Sequence, residues 1–133
     1  MSVAVTDTHA LMWWTLGPSK KLGRRARALF SHVEQRRASI YVPVLALVEV
    51  GEAFRRGGLR TDLTCARWTE RLLRSGQFLT ADLTPDIVLE AESLYTIPER
   101  TDRLIAATAV HLECPLITRD PAMSRIAGLT TVW

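Results

Sequence analysis

Residues 3–16 read Val3-Ala4-Val5-Thr6-Asp7-Thr8-His9-Ala10-Leu11-Met12-Trp13-Trp14-Thr15-Leu16. Val3 to Thr6 is short and β-branched, which suits a pleated surface, and predicts a strand ending at Asp7. His9 to Leu16 predicts a brief helix, stopped by Gly17-Pro18. The same alternation recurs downstream. Ser19 predicts the cap of a basic helix through about Arg37, Ile40-Tyr41-Val42 a strand, and Pro43 the first turn of a helix through Arg56, ended by Gly57-Gly58. Thr61 to Arg74 carries Leu63, Ala66, Leu72 and Leu73 among charges and predicts a surface helix, followed by a strand at Phe78-Leu79-Thr80. Thr84-Pro85 opens a helix through about Tyr95, Pro98 breaks the chain, and Thr101 opens the helix of Leu104, Ile105, Ala107, Thr108 and Leu112. Pro115 to Thr118 predicts a strand, Asp120-Pro121 a last short helix, and Thr130-Thr131-Val132 a final strand. Short strands alternating with longer helices predict an α/β fold with a short, mostly parallel, buried sheet.

The chain has 133 residues, which fits one domain over 1–133. With 47% hydrophobic and 23% charged residues it has the composition of a globular protein, and a disordered chain or disulfide-stapled miniprotein is excluded. The net charge of +3 conceals a division: residues 1–79 sum to +7 and residues 80–133 to −4. Such a split suggests one surface for phosphate and one rich in carboxylates. Cys65 and Cys114 form no C-x-x-C pair and read as buried thiols of a reducing compartment. The opening residues meet Asp7 and His9 before any apolar stretch, and the first base is Lys20, so the sequence predicts no signal peptide, no membrane span and a cytoplasmic location.

Several chemistries are excluded by motif. The chain has no G-x-x-x-x-G-K-[ST], no G-x-G-x-x-G, no G-x-S-x-G and no H-E-x-x-H, and His9, His32 and His111 lack ligand spacing. What remains is a set of acids at element boundaries. Asp7 follows the first strand and Asp120 comes just after Leu116-Ile117-Thr118, at strand ends of the kind that line the ligand crevice of a parallel sheet. Asp102 sits in the first turn of a helix. Each has an ordinary structural reading: Asp7 and Asp120 as caps, Asp102 as a charge opposing a helix dipole. Glu49 interrupts the apolar run Val44 to Val50, where an ionised carboxylate is costly unless it is paired, with an Arg for example, or bound to metal. Were the four to converge, two carboxylates about 4 Å apart would repel by roughly 4 kcal/mol at an effective dielectric of 20. An all-oxygen set of this kind suits Mg²⁺ or Mn²⁺, which activate water and neutralise charge on a phosphodiester.

The order of four blocks carries a resemblance. Val5-Thr6-Asp7-Thr8-His9-Ala10-Leu11, Glu49 in the helix after a Pro-bearing strand end, Thr101-Asp102-Arg103-Leu104-Ile105-Ala106-Ala107-Thr108-Ala109, and Leu116-Ile117-Thr118-Arg119-Asp120 together resemble the PIN-domain ribonucleases of VapC toxins. The resemblance implies a three-layer α/β/α sandwich, a Mg²⁺- or Mn²⁺-dependent endoribonuclease of a type II toxin–antitoxin system, and an antitoxin that blocks the acidic groove. It further implies a homodimer, with higher-order toxin–antitoxin assembly as an extension. The quartet carried over as catalytic and metal-binding is Asp7, Glu49, Asp102 and Asp120, with Thr118 and Glu99 as auxiliary groups. The products implied are 5′-phosphate and 3′-hydroxyl ends. Two departures stand out. Where the family commonly has D-P-x-D-R this chain has Glu99-Arg100-Thr101-Asp102-Arg103, and a Ser often found three residues before the helix Glu is Ala46.

Lys20, Lys21, Arg24, Arg25, Arg27, Arg55, Arg56 and Arg60 are expected either to track RNA backbone or to form solvated helix faces. Trp13, Trp14, Trp68 and Trp133 are expected at dimer or antitoxin contacts, or, for at least two of them, in the core. Two other classes remain open: a catalytically silent RNA-binding or regulatory module on the same fold, and a different metal-dependent phosphoesterase such as a DNA nuclease.

Overall fold

The computed structural model describes residues 2–133. Strands β1 (Ser2–Thr6), β2 (Ala38–Pro43), β3 (Phe78–Ala81), β4 (Leu116–Ile117) and β5 (Thr131–Val132) form one sheet in the order β3-β2-β1-β4-β5. Every pairing is parallel. The first connections build the sheet outward from β1 to β3, and the chain then crosses to the other side of β1 to add β4 and β5. The reversal falls between β1 and β4, so the crevice of this sheet opens at the carboxyl ends of those two strands.

Alternation along the strands separates two cores. Ala4, Ile40, Val42 and Ile117 face one side with α1 (Thr8–Thr15), α2 (Arg24–Glu34), α3 (Val44–Arg56) and α4 (Cys65–Arg74). Val5, Tyr41 and Leu116 face the other with α5 (Pro85–Glu92) and α6 (Arg100–His111). Adjacent residues point to opposite faces because the side-chain period of a strand is two, and the result is the three-layer α/β/α sandwich. Phe30 of α2, fully buried, stacks on Trp14 at 5.5 Å and lies 6.3 Å from Phe78. Trp68 is also buried and donates its indole N–H to Thr15 Oγ1 at 2.9 Å, so it belongs to the core.

Helix boundaries differ from the sequence expectation where capping groups lie outside the obvious signals. Ser19 does not cap a long helix: Ser19–Lys21 is a single 3-10 turn, and α2 begins after Gly23 and ends at Glu34, short of Arg37. The helix expected from Thr61 begins at Cys65, capped by Thr64, and the helix expected to open at Thr101 begins at Arg100, capped by Glu99, which accepts the Asp102 N–H at 2.8 Å. Asp120-Pro121 leads into a turn and a 3-10 turn at Met123–Arg125 rather than a helix. Cys65 and Cys114 are free and half-buried, less enclosed than expected. No helix among the described residues is long and apolar enough to cross a membrane.

Gly23 marks a close approach. A Cβ at this position would stand 2.5 Å from the backbone carbon of Trp133, whose carbonyl accepts the Arg25 N–H at 3.1 Å and so satisfies one of the free amides at the start of α2. Replacing Gly23 with Ala is therefore expected to lower the unfolding free energy by roughly 1–3 kcal/mol, the usual cost of overpacking, measured by urea denaturation.

Candidate active site

The crevice at the strand reversal is a cleft of about 390 Å³ whose walls include Asp7, Asp102, Thr118 and Asp120. Backbone pairing sets the places of Asp7 and Thr118. The Asp7 N–H donates to the Ile117 carbonyl at 3.1 Å, so the residue after β1 is tied to the end of β4, and the Thr118 N–H is tied in turn to Val132. Asp7 then serves two purposes at once. Its carboxylate caps α1 by accepting the Ala10 N–H at 2.9 Å, and the same carboxylate faces the cleft.

Thr118 links two acids. It is buried, its hydroxyl hydrogen-bonds to the Asp7 carboxylate, and its oxygen accepts the Asp120 N–H at 3.2 Å. Asp120 is exposed and accepts the Ala122 N–H at 2.9 Å, which fixes the turn after β4. Glu49 does not line the cleft, but its charge lies near enough to raise the pKa of both Asp7 and Asp102. Its partner is the hydroxyl of buried Thr8, which donates to Glu49 Oε1, and among the described residues no Arg pairs with it. Ala46, which stands where the family often has a serine, is wholly buried in the core, and Thr8 supplies a hydroxyl hydrogen bond from another helix.

The electrostatics follow from this crowding. Burial pushes Asp7 above the usual carboxylate range, against the Ala10 N–H, Thr118 and His9, which favour the anion, while Glu49 adds to the rise. Asp102 is pushed up to about 6 by burial and then by Glu99, Glu49, Asp120 and Asp7. The quartet thus converges electrostatically. Among the described residues no three acidic, His or Cys side chains form a closed ion-binding group. The donor set is nevertheless carboxylate and hydroxyl oxygen with excess negative charge, which fits a hard cation that keeps part of its water, as Mg²⁺ does.

Glu99 reaches the site only through its charge on Asp102 and its cap on α6. That cap fixes the entry to the helix without the family's proline. Lys21 does not line the cleft either, although its Nζ lies 5.5 Å from the ring centre of Trp13, which does. Lys20, Arg24, Arg25, Arg27, Arg55, Arg56 and Arg60 are exposed and do not line the cleft. Sequence reasoning missed His9, Trp13 and Arg119, which do line it, and Thr8, which holds Glu49. His9 and Thr8 adjoin Asp7 and Arg119 adjoins Asp120, so adjacency to the acids was the available signal.

The chain belongs to the PIN-domain family, whose profile matches residues 4–129. No curated protein matches it in sequence. Among solved structures it is similar to a toxin–antitoxin complex from Klebsiella pneumoniae, with 19% identity, a TM-score of 0.67, and coverage of 98% of this chain and 96% of that one. It is also similar to VapBC2 from Rickettsia felis bound to a promoter DNA fragment, with 16% identity, a TM-score of 0.71 and 98% of each chain covered. DNA-bound VapBC from Salmonella typhimurium gives 14% identity and a TM-score of 0.70 over 99% of this chain and 98% of that one. Likeness at these identities establishes a shared fold.

The raised pKa of Asp102 has a stability consequence. The folded protein keeps this proton to about pH 6, whereas the unfolded chain releases it near 3.8, so stability falls as pH rises through that interval. In metal-free buffer at pH 7.5, Asp102→Asn is expected to raise Tm by roughly 2–4 °C, a modest gain because the half-exposed group is screened by water. The gain should vanish below about pH 4, where both states are protonated. Thermal melts of both proteins across pH check this.

Proposed function

We propose that the chain is a VapC-type toxin: a Mg²⁺- or Mn²⁺-dependent endoribonuclease that hydrolyses RNA phosphodiester bonds and is held in check by an antitoxin. The observation that carries the reading is the convergence of Asp7, Asp102 and Asp120, with Glu49 behind them, at the reversal point of a PIN-family sheet. Solved toxin–antitoxin complexes of the same fold support the toxin reading and the antitoxin partner.

Asp7, Asp102 and Asp120 are the oxygen donors that would hold the cation. A bound Mg²⁺ or Mn²⁺ would supply water activation and would neutralise charge on the phosphodiester. Thr118 keeps the Asp7 carboxylate and the Asp120 backbone in fixed relation. Glu49, held by Thr8, stands at the periphery, where a carboxylate can orient the attacking water or take its proton. The in-line attack leaves a 5′-phosphate and a 3′-hydroxyl.

The homodimer is part of the same proposal. Val88 and Leu89 of α5, and Tyr95 just after it, are exposed apolar groups, with Leu89 at 69% and Tyr95 at 81% exposure, as an unpaired interface would be. Leu89→Arg is expected to halve the mass measured by sedimentation velocity while leaving the far-UV circular dichroism unchanged.

The catalytic assignment is tested with purified, antitoxin-free protein on RNA and DNA oligonucleotides of one sequence, with Mg²⁺ or Mn²⁺ and then with EDTA. RNA cleavage that EDTA stops, with the stated ends by mass spectrometry, is expected. Asp7→Asn and Asp120→Asn should each lower the rate by more than about a hundredfold, beyond the ~10–100-fold typical of losing an outer-shell partner. Full activity in Asp7→Asn, or cleavage of DNA in preference to RNA, overturns the reading.

A further inference from the structure

Arg119 stands between Thr118 and Asp120, in the middle of the acidic cleft's own loop. Its side chain nevertheless forms no ion pair with these carboxylates; the ion pairs among the described residues join Glu70 to Arg67 and Arg74. The guanidinium instead lies over the ring of Trp13, 4.9 Å from its centre. Trp13 is half-buried and firmly seated: it packs on the core beneath α1 and meets Trp133 edge-on at 5.9 Å. The His9 ring lies 5.6 Å from it on the cleft side of α1.

This arrangement leaves a particular chemistry available. A guanidinium resting on an aromatic ring engages through its face, while its N–H donors are directed along its edges. Those donors match the two free oxygens of a phosphodiester, which accept them as a bidentate pair. The need is also present, since a cleft lined with carboxylates repels the polyanion that must enter it. A cation fixed at the rim and not neutralised by the neighbouring acids answers that repulsion.

We propose that Arg119 binds a backbone phosphate of the RNA at the mouth of the acidic cleft, and that Trp13 is the positioning residue that holds the guanidinium there. The proposal rests on the ribonuclease reading for the identity of its ligand. Lys21, over the same ring, adds charge without the bidentate geometry.

The test measures binding apart from cleavage. The anisotropy of a short fluorescein-labelled single-stranded RNA is titrated with protein, with Ca²⁺ replacing Mg²⁺, over a range of salt concentrations. Arg119→Ala should weaken binding roughly tenfold, the loss expected for a charge-assisted pair, and should reduce the salt slope by about 0.7, the value for one phosphate on a single strand. Arg119→Lys should restore the slope but only part of the affinity. Trp13→Leu should weaken binding when Arg119 is present and add nothing in the Arg119→Ala background, while Trp13→Phe keeps most of the affinity. Circular dichroism confirms that each variant is folded, and Trp13→Met, which also lacks the aromatic face, stands in if Trp13→Leu is not. Unchanged affinity and slope in Arg119→Ala overturn the phosphate site. Additive losses from Trp13 and Arg119 overturn the positioning role, because Trp13 would then touch RNA on its own. A wild-type protein that binds in the expected way yet cuts nothing in Mn²⁺ overturns the nuclease reading and leaves the phosphate site standing.

Discussion

Like charges do not gather without a frame to hold them, and here the frame is the β1–β4 pairing at the centre of the sheet. Asp7, Asp102 and Asp120 share a cleft in which the charges of Asp7 and Asp120 raise the cost of ionising Asp102. The Asp7 N–H on the Ile117 carbonyl and the Thr118 hydroxyl between Asp7 and Asp120 fix two of the acids to adjacent strand ends. That position is rigid because both faces of the sheet are covered, by α1 to α4 on one side and α5 and α6 on the other. Removing apolar surface from water on two faces supplies the stabilisation against which the carboxylate repulsion is set. A site built this way sacrifices some stability for charge density, and the deficit is concentrated where a cation would relieve it.

The strands and the acids were legible in the sequence because each depends on local pattern. Val3 to Thr6, Ile40 to Val42 and Leu116-Ile117 read as strands from β-branched and apolar content, and Asp7 and Asp120 read as crevice residues from their place after a strand. Contacts between distant segments left weaker signals or none. Gly23 falls inside the helix expected from Ser19 to about Arg37, because the contact with Trp133 that fixes the break there joins distant parts of the chain. The Arg partner expected as one option for Glu49 was a guess about charge, whereas the fold supplies a hydroxyl from Thr8, forty-one residues away. Glu99 was read through its carboxylate and acts as a cap, a role for which Ser, Thr, Asp and Asn are the usual choices.

The division of charge between the two parts of the sequence takes a different form in space. The basic part contributes Asp7 and Glu49 to the acidic cluster, and most of its Lys and Arg side chains are exposed away from the cleft. The acidic part contributes Arg119, the arginine that lines the cleft wall. Net charge by segment therefore measures solubility and long-range attraction more than the composition of the site.

Part of the cleft is supported by residues with no chemistry of their own. Trp133 presses on Gly23 and meets Trp13, and Trp13 carries the guanidinium of Arg119, so one series of contacts runs from the start of α2 to the rim of the cleft. An exposed arginine on a loop samples many rotamers, and fixing it has an entropic cost that a phosphate would otherwise have to offset on binding. A half-buried aromatic held by the core meets part of that cost during folding. Three of the charged groups at or behind the cleft thus share a pattern, a neutral neighbour at each: Thr118 for Asp7, Thr8 for Glu49 and Trp13 for Arg119. Neutral partners orient a charge without cancelling it, as the proposed binding of a cation and a polyanion would require.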